Sequence, residues 1–279
     1  MTGIKDVTGT AFVVAEFRAQ ESTEAEPLYV DPIVPIFLDA RTKQAADAIS
    51  SGFPAAGMNV RIRTRYLDDR LDEQLARGCR QVVILGAGLD TRAVRKQSPE
   101  VVNFEIDDVS TLSFKQARLA ECGIDAPINF IPGDYVADGV LPLLEAHGFD
   151  AELPAFFIWE GNTMYLTRDA VMKILGELRE RVRSFSLSFD FMSEEVIAYA
   201  TGDQGTTGFV ERFAAMGAPW HFSLNDLDTL AEEAGLSVVD AATVAELHRA
   251  YRPGRPLASI IFQHYSLCTL KHGSSGLQM

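Results

Sequence analysis

Two stretches of this chain carry residue types suited to binding a nucleoside. The first is Gln81-Val82-Val83-Ile84-Leu85-Gly86-Ala87-Gly88, an apolar run that enters a glycine turn. The second is Phe104-Glu105-Ile106-Asp107, in which Asp107 lies nineteen positions after Gly88. Gly86 and Gly88 carry no side chain, so a ligand can pass close to the backbone and φ > 0 is allowed. An acid at the tip of the next strand can accept the ribose hydroxyls. Glu105 points to the same face as Asp107 but sits deeper, and is its rival. Further acids end later apolar runs: Asp134 in Pro132-Gly133-Asp134-Tyr135, and Glu160 after Phe156-Phe157-Ile158-Trp159. A carboxylate at 134 can accept from an adenine amino group, and Tyr135 can stack. Each residue also has a plainer reading. The glycines suit any tight turn, Asp107 or Asp108 an N-cap, and Asp134 an ordinary turn. Acids at successive strand ends form a stronger pattern than any one of them. Position 91 is Thr, where a dinucleotide fingerprint expects Gly or Ala, and this disfavours NAD or FAD.

The surrounding pattern supplies the frame. From Arg80 onward, strand and helix signals alternate, the signature of a parallel sheet with crossover helices. Strands are expected at 81–86, 102–107, 128–131, 155–160 and 184–191, with helices at 90–96, 109–121, 138–147 and 168–183. Residues 1 to about 80 read as helical pieces, including Asp39 to Ile49. Residues 193–222 break the rhythm and read equally as a mobile cover or a surface insertion. Ser223 is the expected N-cap of a helix that stops at Gly235. Leu236 to Val239 and Leu257 to Leu270 read as two strands of an antiparallel edge. His272 to Met279 reads as a frayed tail.

Composition excludes several classes. The chain has 279 residues, 47% hydrophobic, with a formal net charge of −14. That balance disfavours nucleic-acid binding, which relies on basic residues against phosphates, and docking on anionic membrane. No apolar run reaches the roughly 18 residues needed to span a bilayer. Cys79, Cys122 and Cys268 form no C-x-x-C pair, and a reducing cytoplasm suits them. The five histidines show no ligand spacing, so no metal site is expected.

Three elements together resemble the leucine carboxyl methyltransferase family, more narrowly its bacterial S-adenosylmethionine-dependent branch. They are Arg63-Thr64-Arg65-Tyr66-Leu67-Asp68-Asp69, Gly86-Ala87-Gly88-Leu89-Asp90-Thr91-Arg92 and Trp159-Glu160-Gly161-Asn162-Thr163-Met164-Tyr165-Leu166. The resemblance implies an α/β class I methyltransferase fold. Its Rossmann-like sheet has seven strands, mostly parallel, with the last antiparallel. A helical cap (1–79), a cofactor-binding core (80–192), an inserted lid (193–222) and a C-terminal helix with strands (223–279) follow from it. The implied cofactor is S-adenosylmethionine. Arg63, or Arg61 in a shifted register, would bind its methionine carboxylate, and Gly86, Ala87 and Gly88 would pass beneath the methionine. Asp107 would hold the ribose, Asp134 and Tyr135 would flank the adenine, and Glu160 would hold the ammonium. The plainer reading of the arginines is a surface ion-pair set with Asp68 and Asp69.

The expected activity is O-methylation of a carboxylate or hydroxyl on a small molecule. A carboxylate acceptor needs no general base, whereas a hydroxyl usually wants one. His221, Tyr165 and Tyr199 are weak candidates for positioning the acceptor. The aromatic residues of the insertion suit either an apolar acceptor pocket or the lid's own core. The rivals are a nicotinamide-dependent oxidoreductase and a non-catalytic nucleoside binder. The first lacks a Tyr-x-x-x-Lys pair, since Arg70 and Asp169 stand four positions after Tyr66 and Tyr165.

Overall fold

A computed structural model of the chain describes residues 3–215, 217–257 and 259–273. Three helices lead: α1 (Gly3–Glu21), α2 (Ala40–Gly52) and α3 (Ala55–Ala76). Strands and helices then alternate: β1 (Gln81–Leu85), α4 (Arg92–Arg95), β2 (Val102–Asp107), α5 (Val109–Glu121), β3 (Ile128–Pro132), α6 (Val140–Glu145), β4 (Ala155–Trp159), α7 (Arg168–Arg181) and β5 (Phe185–Met192). The chain continues through α8 (Glu194–Ile197), α9 (Gln204–Ala215), α10 (Leu227–Glu233), β6 (Ser237–Thr243), α11 (Val244–Tyr251) and β7 (Tyr265–His272).

Among the described residues the strands form one seven-stranded sheet in the order β3-β2-β1-β4-β5-β7-β6. β1 to β5 run parallel, and β7 runs antiparallel to both β5 and β6. This is the expected class I methyltransferase sheet. Its central strands are buried on both faces, which is why β1 and β4 read as unbroken apolar runs. One layer of core packs Phe104, Phe157 and Leu175 on one side of the sheet. The other packs Ile62, Ile84, Phe156 and Ile158 beneath α3. β1 lies between β2 and β4, and the chain reverses its winding there. Open parallel sheets bind ligands beyond the strand tips at such a point.

Local chemistry moved several boundaries. Asp226, not Ser223, caps α10: its Oδ1 accepts the Thr229 amide at 2.9 Å. The segment at Ser223 lies outside the helix, and the Leu224 amide next to it donates to the Met192 carbonyl at 2.8 Å. The last strand begins at Tyr265 rather than near Leu257, since Ile260–Gln263 coil into a 3-10 turn capped by Ser259. The helix expected at 90–96 is a single turn, Arg92–Arg95. His272 belongs to β7, and the rest of the expected tail, 274–279, lies outside the described residues.

Candidate active site

A cavity of about 820 Å³ opens over the carboxyl ends of β1, β2 and β4. Gly86, Asp107, Asp134, Tyr135 and Glu160 all line it, as do Ala87 and Gly88. Helix α1 covers it through Thr10, Ala11 and Val14.

Asp107 is set by its strand and by a division of labour with its neighbour. Asp108 takes the N-cap of α5, accepting the Ser110 and Thr111 amides at 2.8 and 3.1 Å. That leaves Asp107 to accept the Gly88 amide on Oδ2 at 2.6 Å and the Asp108 amide on Oδ1 at 2.7 Å. Each carboxylate oxygen can accept a second bond, so the residue can still receive two hydroxyls. Burial raises its pKa to about 6 against the lowering effect of the Gly88 amide. The glycine turn carries φ of +65° at Gly86 and +52° at Gly88, conformations open to glycine. A Cβ on Gly86 would come 2.4 Å from Asn162 Nδ2, which donates to the Gly86 carbonyl at 3.2 Å. Glu105 is fully buried and paired with Lys115 at 2.5 Å, beneath the cavity rather than lining it.

Asp134 is exposed, and its Oδ1 accepts the Val136 and Ala137 amides in a turn. Tyr135 is half-buried, its hydroxyl accepting Trp159 Nε1 at 3.1 Å. Arg63 reaches the cavity, while Arg61 turns away to Glu24 and Gln20, both at 3.1 Å. The helical period of α3 puts positions 61 and 63 on different faces.

Glu160 differs most from the role implied for it. Its Oε1 accepts Arg63 Nε at 2.8 Å, and its Oε2 accepts Arg92 Nη1 at 2.8 Å and Arg18 Nη2 at 2.9 Å. Burial alone would raise its pKa, but Arg18, Arg92 and Arg63 outweigh burial and hold it well below the ordinary carboxylate range. Three guanidinium groups thus share the two oxygens of this carboxylate at the cavity edge. The network spreads further. Arg92 also bonds Asp68 at 2.7 Å and pairs with Asp90. Arg63 Nη1 bonds Tyr265 at 2.9 Å and Asp190 at 3.3 Å, and Tyr265 donates to Asp190. The arginines beside Asp68 and Asp69 thus divide: Asp68 joins the buried network, and Asp69 pairs with Arg65 at 2.8 Å near the surface.

Arg18, Asp190, Tyr265 and Asn162 went unremarked as site residues in the sequence. Asp190 had a signal, a lone charge inside the apolar run Phe185 to Met192. Asn162 lay within the quoted Trp-Glu-Gly-Asn element. Arg18 had none, since nothing local in α1 ties it to Glu160.

A second cavity of about 110 Å³ adjoins the first, sharing Thr10, Val14, Arg63 and Gly161 with it. Phe209 and Phe213 of α9, with Trp220, form part of its wall, so the segment 193–222 contributes directly to it. Tyr165 lines this cavity, and burial raises its pKa to about 12. His221 is exposed and lines neither cavity; its backbone amide donates to the Met164 carbonyl at 2.7 Å. Tyr199 is 48% exposed with φ of +57°, and also lines neither.

Residues 11–179 match the family described as leucine carboxyl methyltransferase. The chain belongs to the leucine carboxyl methyltransferase family. A Frankia alni protein described as a candidate S-adenosyl-L-methionine-dependent methyltransferase is 34% identical over 267 residues, covering 90% of this chain and 88% of that one. The fold is shared with a candidate methyltransferase from Thermobifida fusca, at TM-score 0.63 and 16% identity over 93% of this chain and 94% of that one. It is also shared with the magnesium protoporphyrin IX methyltransferase of Synechocystis, solved with bound SAH (S-adenosylhomocysteine), at TM-score 0.50 and 9% identity over 92% and 93% of the two chains. This family member is an S-adenosylmethionine-dependent methyltransferase. No helix among its described residues is long and apolar enough to cross a membrane.

Proposed function

We propose that the larger cavity holds S-adenosylmethionine and that the enzyme methylates an oxygen of a small molecule bound in the smaller one. The observation that carries this reading is the junction of the two cavities at Arg63 and Gly161, one rimmed by the Asp107 carboxylate and the other almost wholly apolar. Asp107 holds the ribose hydroxyls with the lone pairs left by its two backbone bonds. Tyr135 and Asp134 border the adenine. Gly86, Ala87 and Gly88 let the methionine portion lie against the backbone, and Arg63 with Arg18 attracts its carboxylate. Glu160 acts through those arginines, fixing their guanidinium planes.

When bound, the cofactor supplies a methyl group on a sulfonium, whose departure leaves a neutral thioether. The protein's part is to align the acceptor and exclude water. The roof of α1 and the aromatic residues of segment 193–222 do both. Among the three weak candidates, Tyr165 alone lines either cavity and can touch an acceptor. The net charge of −14 argues against a nucleic-acid substrate. The three free cysteines, Cys79, Cys122 and Cys268, suit a reducing cytoplasm as the place of reaction.

The test is calorimetric titration of the purified protein with S-adenosylmethionine, S-adenosylhomocysteine and NAD, repeated on Asp107→Ala. Micromolar binding of the first two, weakened strongly by the substitution, is the expected result. Binding of NAD alone sinks the proposal. Methyl transfer is then followed across phenols, alcohols and carboxylic acids. Cofactor binding with no turnover on any of them would favour a non-catalytic role.

A further inference from the structure

Gly161 and Arg63 both line the two cavities where they adjoin. The Arg63 guanidinium offers five N–H groups in a planar fork. Three of them are spent: Nε donates to Glu160 at 2.8 Å, and Nη1 donates to Tyr265 at 2.9 Å and to Asp190 at 3.3 Å. Nη2 has no partner among the described residues. Arg63 also keeps 9% of its side chain exposed, against 1% for Arg92, which shares Glu160 but lines neither cavity. Nη2 is therefore the working end of this arginine.

Beside Nη2 stands the bare α-carbon of Gly161. A Cβ there would come 2.9 Å from Nη2 and 3.3 Å from both Nη1 and Cζ. Contact that close forces a shift, and both sides are pinned. The Gly161 amide donates to Asp190 Oδ1 at 2.7 Å, while Arg63 Nη1 bonds Oδ2 of the same carboxylate. The Thr163 hydroxyl donates to the Asp190 carbonyl and ties the turn to β5. On its other side, Arg63 is anchored by Glu160 and Tyr265. A loose arginine would swing aside at little cost. This guanidinium is rigid and planar, so any displacement breaks those bonds and carries Nη2 off its position.

Given the proposal above that Arg63 attracts the cofactor's carboxylate, we infer that Gly161 is a positioning residue for that arginine. Its missing side chain is the seat that holds Nη2 at the junction with both hydrogens free for the carboxylate. Asp190 clamps seat and arginine together through its two oxygens.

The test pairs calorimetric titration with S-adenosylhomocysteine and ligand-observed NMR titration with adenosine, which lacks the amino-acid end. Gly161→Ala should weaken S-adenosylhomocysteine about ten- to a hundred-fold, the range for losing a bond between charged groups. Adenosine should bind as before, which also shows that the variant is folded. Gly161 has φ of +70°, so backbone strain is the competing cause. Asn enters that region more readily than Ala but brings the same Cβ. Gly161→Asn should therefore lose at least as much affinity as Gly161→Ala, and it keeps the test in hand should the alanine variant not fold. Arg63→Lys removes Nη2 and keeps a cation; in that background Gly161→Ala should cost no more than about two-fold. Equal losses for the two ligands, near-wild-type affinity in Gly161→Asn, or an undiminished cost beside Arg63→Lys overturns the inference. Wild-type protein that binds no S-adenosylhomocysteine overturns the cofactor reading, and this inference with it.

Discussion

Asp107→Asn isolates the carboxylate on which the cofactor reading turns. The side chain keeps its size and one carbonyl oxygen, so the fold should persist. It loses the charge and one accepting oxygen, and its new amide must face either the Gly88 or the Asp108 amide, donor against donor. A hydrogen bond to a charged group contributes about 1.5–3 kcal/mol. Losing one ribose contact and weakening the other should cost about 2–3 kcal/mol, a roughly 30- to 150-fold rise in the Kd for S-adenosylhomocysteine. A pH signature accompanies it. Burial places the Asp107 pKa at about 6, and the ligand prefers the ionised form. Wild-type affinity should therefore fall about ten-fold for each pH unit below about 6 and level off above it. The folded value lies above the ordinary 3.8, so this residue's contribution to unliganded stability is present at low pH and is lost as pH rises through about 6. Ligand offsets that loss, and the variant should show neither effect. Calorimetry at a series of pH values reads both. A variant Kd within three-fold of wild type, or a wild-type Kd flat from pH 5 to 7.5, would refute the assignment.

Three further outcomes are expected. Arg92→Met leaves Asp68, Asp90 and Glu160 short of a buried partner; a cost of about 3–5 kcal/mol should lower Tm by roughly 6–15 °C in scanning calorimetry. Gly86→Ala forces a left-handed φ on a residue with a side chain and drives its methyl into Asn162. S-adenosylhomocysteine affinity should drop at least about ten-fold, and adding Asn162→Ala should restore part of it in a double-mutant cycle. Arg18→Met should weaken S-adenosylhomocysteine about ten- to a hundred-fold while leaving adenosine unchanged; equal losses for both ligands would place Arg18 away from the amino-acid end.

The sheet was legible because its central strands are buried on both faces and so spell continuous apolar runs, as Ala155 to Trp159 does. Gly86, Gly88 and Asp107 were legible because a glycine turn and the tip of the neighbouring strand meet by local geometry. The edges were harder. Ser223 has the side chain of an N-cap, but a tertiary bond ties the neighbouring Leu224 amide to Met192, and Asp226 takes the cap. The ion pairing of Glu160 has no local signal, because its partners, Arg18, Arg63 and Arg92, come from three separate regions. No local spacing joins positions 18 and 160. The second cavity was equally hidden, since its wall combines α1, α3, segment 193–222 and β7.

That dispersal bears on how the enzyme comes into being on the ribosome. Arg63 is held by Glu160, by Asp190 on β5 and by Tyr265 at the start of β7. β7 pairs with β5 along its whole length and emerges after every other strand. The glycine turn and Asp107 precede β7 in the chain, as do Glu160 and Asp190, whereas the Tyr265 hydroxyl reaches Arg63 only with β7 between β5 and β6. The last of Arg63's three partners, Tyr265, is therefore supplied only when the final strand has been synthesised. Nascent chains halted before residue 265 should be unable to hold the cofactor's amino-acid end, however well their first five strands have formed.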